Sequence, residues 1–168
     1  QRGEHRRRMQ DEFMWGEIWK TEDGGKNWTR QLASDNKFYF NAIDCCDEKT
    51  CYAVAEGDEE AGSDEPGTRV FMTNDGATWN QVYYEAEDST SLMSVHCLSD
   101  MEAYAGGGNL TSGRDFGGYF LHTTDGGKSW TNVTVKAPVM FMDMTDDGMY
   151  GVASGISKTS GGVEYGYQ

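Results

Sequence analysis

The sequence contains one grouping of chemically capable residues three times, and each copy ends close to a tryptophan. The copies occupy residues 20–29, 72–80 and 122–131, and their tryptophans are 51 residues apart both times. A carboxylate or amide near the start of a tight turn can accept hydrogen bonds from the backbone N–H groups that follow it. A glycine further along can take a conformation that a Cβ would resist. We therefore expect three hydrogen-bonded turns with a structural role.

The pattern assigns this structural role to Thr21, Asp23, Gly25, Trp28, Asn74, Gly76, Trp79, Thr123, Asp125, Gly127 and Trp130. The second copy departs from the other two, since Asn74 stands where they have aspartate and Met72 where they have threonine. An asparagine can still form an Asx-type turn. Each tryptophan is expected to fill space between its own hairpin and a neighbouring sheet, which is a large apolar contribution from one side chain.

Other residue types that could bind a metal or a phosphate lack the necessary spacing. His5, His96 and His122 fall in a tail and in two different strand contexts, which is not the spacing of a metal site. The acidic segment 56–65 offers oxygen ligands without the order of an EF-hand loop, which favours a solvated loop. The glycines at 106–108 do not lead into a helix, so they predict no phosphate site. We expect no metal and no cofactor.

The four cysteines predict one disulfide and leave a second open. Cys45 and Cys51 lie on adjacent strands across a short turn, where their separation can match disulfide geometry. Cys46 is expected to point to the opposite face from Cys45. Cys97 lies 52 residues after Cys45 and has no local partner, so a Cys46–Cys97 bond stays an open alternative.

Three Asn-x-Thr sequons agree with an oxidising compartment, as disulfides do. They lie at Asn27, Asn109 and Asn132. Threonine is common beside the repeated turns for other reasons, so the first and third carry less information. Asn109, which we expect in a loop, is the glycosylation candidate.

Composition indicates a folded chain of short strands and tight turns. Leu, Ile, Val and Phe total 24 of 168 residues and the net charge is −14, a combination typical of disorder. However, five Trp and nine Tyr are rare in disordered chains, and 22 glycines fit strands joined by turns. No window reaches eighteen apolar residues, so we expect no transmembrane span, and no basic n-region followed by an apolar h-region opens the chain, so we expect no intact signal peptide.

The charge is unevenly distributed along the chain. Residues 1–10 carry four arginines, including the run at 6–8, and we expect residues 1–15 to form a basic tail. Residues 11–168 hold 27 acidic and 10 basic side chains, a net charge of −17. This part of the chain should repel nucleic acid.

The turns must be positioned by strands. Short strands are predicted before each turn, at 17–20, 69–72 and 119–122, and after it, at 28–32, 79–84 and 130–135. A second pair follows each hairpin, at 40–45 and 52–56, 92–97 and 104–106, and 139–144 and 150–154. The unit is therefore four antiparallel strands, with surface insertions at 57–68 and 107–118.

The pattern Ser/Thr-x-Asp-x-Gly-x-x-Trp, matched at 21–28 and 123–130 and loosely at 72–79, resembles the Asp-box or BNR repeat. Sialidases, sortilin-type receptors, secreted bacterial propellers and the photosystem II assembly and stability factors share that repeat. The resemblance implies an all-β fold, a β-propeller with four-stranded antiparallel blades. Residues 40–45 and 50–55, with a cysteine on each strand, also resemble the inner hairpin of the photosystem II assembly factor group.

Strand counting predicts a partial propeller. Residues 16–162 would supply two complete and two partial blades, and residues 163–168 would form a C-terminal tail. The third strand of the last blade is expected to start at 156–159, which resembles 18–21. Since propellers usually have at least four blades, the unfinished sheets should associate with another chain or with further blades.

The resemblance leaves two functions open. The favoured one is a non-catalytic scaffold or extrinsic subunit that binds a protein complex, including a membrane-embedded photosystem, in the thylakoid lumen. The alternative is a secreted glycan-binding or sialidase-like propeller. A sialidase would need clustered arginines, a tyrosine beside a glutamate, and an acid/base aspartate, but Arg30, Arg69 and Arg114 fall in unrelated places. We therefore expect no catalytic residues, because the box recurs on proteins with unrelated activities.

Overall fold

The computed structural model describes residues 16–59, 63–86, 90–110, 116–159 and 162–167, and these residues form an all-β chain. The strands are β1 Glu17–Lys20, β2 Thr29–Ala33, β3 Tyr39–Cys45, β4 Cys51–Gly57, β5 Gly67–Thr73, β6 Asn80–Glu85, β7 Thr90–Cys97, β8 Ala103–Asn109, β9 Gly117–Thr123, β10 Thr131–Val135, β11 Val139–Met144, β12 Gly151–Thr159 and β13 Gly162–Tyr167. Within the described ranges, no helix has the length and apolar character needed to span a membrane.

The strands form four antiparallel sheets in chain order. The first sheet is β1-β2, the second β3-β4-β5-β6, the third β7-β8-β9-β10 and the fourth β11-β12-β13. The predicted all-β class and the four-stranded antiparallel unit are confirmed by the second and third sheets. The arrangement of the sheets as propeller blades stays a prediction.

The fourth sheet differs from the prediction at its last two strands. Residues 156–159 do not begin a third strand, because they continue β12, in which Ile156 pairs with Tyr165 and Lys158 with Val163. The third strand is β13, which occupies most of the predicted C-terminal tail. The cause is local: in the second and third sheets an insertion of several residues separates the second strand from the third. Here β12 and β13 are separated by only residues 160 and 161.

Successive sheets pack face to face through their apolar side chains. One buried cluster joins the second and third sheets and includes Tyr52, Val54, Val70, Leu92 and Leu121. A second cluster joins the first and second sheets and includes Ile18, Phe38, Ala53, Ala55 and Phe71. The middle strands of the second sheet, β4 and β5, are the most deeply buried, because each has a neighbouring sheet on both faces.

The opening strands of the last three sheets also bond to one another. The Asp44 carboxylate in β3 accepts a hydrogen bond of 2.8 Å from the Cys97 backbone N–H in β7. The Ser94 hydroxyl in β7 accepts one of 3.0 Å from the Met142 backbone N–H in β11. These polar contacts align β3, β7 and β11 side by side and fix the order of the sheets.

The fourth sheet approaches the third across glycines. A Cβ added at Gly106 in β8 would lie 2.7 Å from the Val139 Cγ1 atom in β11. Such a contact is far inside van der Waals separation, so a side chain at this position would push β11 away.

Candidate functional site

Six turns of the sheets lie along one edge of the molecule, which we call the box edge. It consists of residues 21–28, 46–50, 74–79, 98–102, 124–130 and 145–150. Neighbouring sheets touch there: Lys20 Nζ donates to the Gly76 carbonyl at 3.1 Å. The turn at Gly148 packs on the Leu98 side chain of the third sheet. The three repeated turns are part of this edge, and we call them the first, second and third boxes.

The first box is held together by its threonine and its aspartate. The Thr21 hydroxyl donates to Asp23 at 2.9 Å and accepts from the Gly25 N–H at 2.9 Å. The Asp23 carboxylate accepts from the backbone N–H groups of Lys26 at 3.0 Å and Asn27 at 2.9 Å. The Asn27 side-chain amide adds a bond of 2.6 Å to the same carboxylate.

The third box repeats this arrangement with one change of donor. The Thr123 hydroxyl donates to Asp125 and accepts from the Gly127 N–H, each at 2.9 Å. Asp125 accepts from the Ser129 backbone N–H at 2.9 Å and from the Ser129 hydroxyl at 2.6 Å. Gly25 and Gly127 have φ values of 86° and 80°, a region that favours glycine.

The assignment of Asn74 as the acceptor of the second box is wrong. The Asp75 carboxylate takes this role and accepts from the Ala77 and Thr78 N–H groups at 2.8 and 2.7 Å. Thr73, and not Met72, supplies the hydroxyl, which donates to Asp75 at 3.0 Å. From Thr73 to Trp79 this box is one residue shorter than the other two, and Gly76 is its one residue with a positive φ. Aligning the boxes on their tryptophans therefore shifted the second by one position.

Hydrogen bonding keeps the box carboxylates ionised. The bond from the Asn27 backbone N–H is the largest cause that lowers the pKa of Asp23 to about 2. The Ser129 hydroxyl lowers the pKa of Asp125 to about 2. Donation from the Thr78 N–H lowers the pKa of Asp75 well below its usual range. These groups carry full negative charge throughout the mildly acidic and neutral range.

The box edge as a whole is strongly acidic. Its six turns hold three lysines and ten carboxylates, namely Glu22, Asp23, Asp47, Glu48, Asp75, Asp100, Glu102, Asp125, Asp146 and Asp147. The pKa of Asp47 is lowered by the Lys49 and Thr50 backbone N–H groups, and that of Asp147 by the Thr145 hydroxyl. The edge therefore presents a continuous negative field to solvent.

Trp130 packs between two sheets, as its position in the third box predicts. Its Nε1–H donates at 3.3 Å to the carbonyl of Val82 in the second sheet. Its ring makes edge contacts with Tyr52 and Tyr83, at centroid distances of 6.4 and 6.1 Å. Burial raises the pKa of both tyrosines to about 12, which agrees with a shielded environment.

The other two tryptophans differ from each other. Trp79 packs on the cluster formed by Ile18 and its neighbours, so it joins the first and second sheets. Trp28 is 57% exposed, and its Nε1–H donates at 3.2 Å to Gly25 within its own turn. The expectation that Trp28 fills space between two sheets is therefore wrong. Each of the other rings packs on the preceding sheet, and the described residues place no sheet before the first one.

All four cysteines form disulfides. Cys45 and Cys51 are directly opposite each other in the β3–β4 hairpin and are bonded, with a Cα–Cα distance of 4.0 Å. The alternative that sequence left open is also present, because Cys46 is bonded to Cys97 with a Cα–Cα distance of 5.2 Å. The second bond ties the second sheet to the third at the box edge. Two disulfides in one chain indicate an oxidising, non-cytosolic compartment.

Asn109 does not lie in a loop. It is the last residue of β8, where it pairs with Thr90 and Gly117, and it is only 9% exposed. Its side chain is therefore a poor acceptor for a bulky glycan. Of the remaining sequons, Asn132 is exposed in β10, and the Asn27 amide is engaged by Asp23.

Arg30 and Arg69, the arginines among the described residues, do not converge on one site. Arg30 forms a surface ion pair of 2.8 Å with Glu17. Arg69 is fully buried between the rings of Phe38 and Tyr84, whose centroids lie 4.7 and 4.9 Å from its guanidinium carbon. Its nitrogens donate to the carbonyls of residues 65 and 67. Arg114 lies outside the described residues, as do His5 and the predicted tail 1–15.

One tyrosine–glutamate pair was not predicted from the sequence. The Tyr39 hydroxyl donates to the Glu56 carboxylate across the β3–β4 pair. Burial and this bond raise the pKa of Tyr39 well above its usual range, so the hydroxyl is a weak nucleophile. The pairing of alternate residues on neighbouring strands could have revealed it, since Tyr39 and Glu56 face each other in register.

The two histidines among the described residues lie in separate carboxylate contacts. His96 Nδ1 lies 3.5 Å from an Asp44 oxygen and 3.4 Å from an Asp143 oxygen, across the three opening strands. His122 Nε2 lies 3.0 Å from Glu102, and its ring stacks on Tyr104. Among the described residues no group of three or more His, Cys, Asp or Glu side chains is arranged to hold a metal ion. The predicted acidic loop 56–65 is described except for residues 60–62.

An open groove beside the box edge separates the first sheet from the second. Its lining includes Trp19, Ile43, Trp79, Lys20 and Gln31. Trp19 and Ile43 are large apolar side chains that are 48% and 51% exposed. The groove can accept an apolar side chain next to the negative field of the edge.

Comparison of the chain with protein-family models, with curated proteins and with solved structures found no match. The assignment of a function therefore depends on the sequence pattern and on the geometry described above.

Proposed function

We propose that the chain is a non-catalytic scaffold of partial β-propeller type, which binds a protein complex in an oxidising compartment. The thylakoid lumen is the favoured compartment because of the resemblance to the photosystem II assembly factor group. The observation that carries the proposal is the acidic box edge, whose six turns hold ten carboxylates and only three lysines.

The charge of this edge defines the kind of partner. A basic surface, such as a lysine- and arginine-rich segment of a membrane protein complex, would be attracted over several ångströms and correctly oriented. Because backbone N–H groups stabilise the box carboxylates, the attraction would persist in an acidified compartment. The neighbouring groove offers a place for one apolar anchor of the partner, between Trp19 and Ile43.

The two disulfides give the edge the rigidity that a scaffold needs. Cys45–Cys51 closes the hairpin of the second sheet, and Cys46–Cys97 joins this hairpin to the third sheet. A surface that is rigid before binding loses little conformational entropy when it binds.

The proposal is tested by binding of the oxidised chain to immobilised peptides that represent basic lumenal segments of photosystem II reaction-centre subunits. We expect binding that weakens as salt rises. The double variant Glu48→Gln/Asp100→Asn should weaken it about fivefold, which corresponds to about 1 kcal/mol. The matched control Asp35→Asn/Glu85→Gln removes the same charge from exposed positions away from the box edge and should bind normally.

The alternative function is tested with the same preparation on a glycan array and with a fluorogenic sialoside. Selective glycan binding or sialoside hydrolysis, together with no salt-dependent peptide binding, would overturn the proposal. Hydrolysis that is lost in Tyr39→Phe would assign the chemistry to the Tyr39–Glu56 pair.

A further inference from the structure

Two acidic turns of the box edge, 46–50 in the second sheet and 98–102 in the third, are joined by a covalent bond. Cys46 is the first residue of one turn, Cys97 directly precedes the other, and the two cysteines form a disulfide. We call 46–50 and 98–102 the joined turns. Each of them holds two of the ten carboxylates of the box edge. These carboxylates are Asp47, Glu48, Asp100 and Glu102.

Each joined turn is closed by its own hydrogen bonds. In the first, the Cys46 N–H donates to the Thr50 carbonyl at 3.0 Å, and the Thr50 N–H donates to the Asp47 carboxylate at 2.8 Å. In the second, the Glu102 N–H donates to the Ser99 hydroxyl at 3.0 Å. Because each turn keeps its own shape, what remains to be fixed is the position of one turn relative to the other.

The disulfide fixes this relative position against electrostatic repulsion. The joined turns together carry four carboxylates and one lysine, Lys49, so they repel each other. The noncovalent contacts around them are made from the strands: the Cys97 N–H donates to Asp44 in β3 at 2.8 Å. The Tyr52 hydroxyl in β4 donates to the Asp100 carbonyl at 3.4 Å, which is a weak hydrogen bond. The covalent bond is therefore the strongest restraint between the two turns.

We propose that the redox state of the Cys46–Cys97 pair regulates the box edge. The oxidised chain binds the basic partner, and reduction by a dithiol lowers the affinity. This regulation rests on the proposed function, because it concerns the same surface. When the bond is broken, repulsion separates the joined turns, and their four carboxylates no longer act together on one basic segment.

The reduction begins at Cys46, because this residue is only partly buried whereas Cys97 is 7% exposed. One thiolate of the dithiol attacks the Cys46 Sγ atom and forms a mixed disulfide, and Cys97 leaves as a thiolate that takes up a proton. The second thiolate of the dithiol then attacks its own sulfur in the mixed disulfide and releases Cys46. Two electrons pass from the dithiol, which becomes a disulfide, to the two cysteines.

The effect of reduction is confined to the joined turns. The second and third sheets stay packed through their shared apolar cluster, which includes Val54 and Leu92, and through the bond from Trp130 to Val82. Reduction of the hairpin disulfide has no such effect on the turns, since both of its cysteines belong to the second sheet and face each other in one strand pair.

The structural part of the proposal is tested without any partner. Hydrogen–deuterium exchange of the oxidised chain is compared with exchange after treatment with dithiothreitol. We expect faster exchange in the joined turns and unchanged protection in β4 and β5. Unchanged exchange in both turns would overturn the proposal. Loss of protection throughout β4 and β5 would also overturn it, because reduction would then unfold the chain.

The functional part uses the immobilised basic peptides described above, in versions without cysteine. Dithiothreitol should raise the dissociation constant of the unmodified chain about fivefold, and reoxidation should restore it. Cys45→Ala/Cys51→Ala retains the bond between the sheets and should respond to dithiothreitol in the same way. Cys46→Ala/Cys97→Ala should bind like the reduced chain in both conditions. Circular dichroism checks that each variant is folded, and the first variant carries the test if the second is not.

A charge variant connects the disulfide to the carboxylates. Glu48→Gln/Asp100→Asn removes one carboxylate from each joined turn, so dithiothreitol should change its binding less than twofold. The matched control Asp35→Asn/Glu85→Gln removes the same charge elsewhere and should keep the full response, about fivefold.

The outcomes distinguish this regulation from the proposed function. Equal binding by the oxidised and reduced forms would overturn the regulation and leave the proposed function intact. A response to dithiothreitol that persists in Cys46→Ala/Cys97→Ala would assign the effect to the hairpin bond and would also overturn the regulation. If the oxidised chain does not bind, the proposed function is wrong and the regulation is wrong with it.

Discussion

The first and third boxes have the same internal hydrogen bonds and different surroundings. In both, a threonine and an aspartate organise the turn at nearly identical distances. Trp130, however, reaches the second sheet, whereas Trp28 turns back on its own hairpin. The comparison distinguishes the role of the carboxylate from that of the tryptophan, which the sequence pattern alone does not distinguish. The carboxylate forms the turn locally, and the tryptophan stabilises the fold only where another sheet receives it.

The glycines of the two boxes show the same difference. A Cβ built on Gly24 meets no atom within 4 Å, whereas one on Gly126 lies 3.1 Å from the Asp100 carbonyl. The third box packs on the β7–β8 turn of its own sheet, and the Gly126 N–H donates to Met101. Among the described residues the first sheet has two strands, β1 and β2, and offers no such turn.

The largest effect should come from the two disulfides, because one of them joins two sheets and the other lies within one hairpin. Cys46–Cys97 closes a loop of 51 residues and Cys45–Cys51 a loop of 6. Loop-closure entropy gives about 4 kcal/mol for the first and about 2 kcal/mol for the second. Urea unfolding of Cys46→Ala/Cys97→Ala and of Cys45→Ala/Cys51→Ala measures the two losses.

Intact-mass analysis after alkylation without reductant should first show that no cysteine of the unmodified chain reacts. Alkylation of both Cys45 and Cys51 would contradict the hairpin disulfide and weaken the assignment to an oxidising compartment. A larger loss for the hairpin pair than for the pair between sheets would contradict the comparison.

The next effect concerns the tryptophans. Trp130→Ala should lower the free energy of unfolding by about 3 kcal/mol or more, because it empties the space between the second and third sheets. Trp28→Ala should cost less than about 1 kcal/mol in dilute solution, because the ring is largely exposed. Thermal or urea unfolding provides the values. Equal losses would show that Trp28 is covered in solution or that Trp130 is not.

A smaller difference in the free energy of unfolding is expected between alanine variants of Gly25 and Gly127, which have similar φ values. Gly25→Ala places a Cβ 3.9 Å from the Trp28 ring, an ordinary van der Waals contact, so it should cost only the backbone strain, about 1 kcal/mol. Gly127→Ala adds a clash with the Val82 side chain at 2.8 Å, and the total should be about 2 kcal/mol. Denaturant unfolding of the two variants tests this. If their losses are the same, the second sheet does not press on the third box.

The smallest expected difference is in acid stability, where the two boxes should behave alike. The folded pKa of Asp23 and of Asp125 is about 2, below the unfolded value near 3.9. Each carboxylate therefore stabilises the fold above about pH 4, and this stability is lost as the pH falls towards 2. Asp23→Asn and Asp125→Asn should each make unfolding less dependent on pH in this window, as followed by circular dichroism. A response in one variant alone would contradict the local role of the carboxylate.

Much of the fold could be predicted because its signals are local. Alternation of residues and the spacing of the boxes gave nearly every strand to within a few residues, and the short turn between Cys45 and Cys51 indicated their bond. The wrong predictions concern residues whose surroundings depend on which strands and sheets lie beside them. The exposure of Trp28 follows from which sheets are present, and the burial of Asn109 from strand pairing through residues expected in a loop.

The second box failed for a different reason. Its tryptophan keeps the 51-residue spacing although its turn is one residue shorter, because compensating changes elsewhere in the repeat restore the period. Spacing alone therefore selected Asn74, whereas the hydrogen bonds select Asp75. Aligning the boxes on the threonine and the aspartate that organise the turn would have found the correct residue.

The bond between Cys46 and Cys97 also determines how the chain would respond to mechanical force. When the two ends of the chain are pulled apart, the force passes through the disulfide and bypasses the 51-residue segment between these cysteines. That segment cannot be stretched while the bond is intact. At about 3.6 Å per residue, the bond withholds about 180 Å of extension. A reductant would release this length, and the segment that contains β4, β5, β6 and β7 would become the part of the molecule whose extensibility depends on redox conditions.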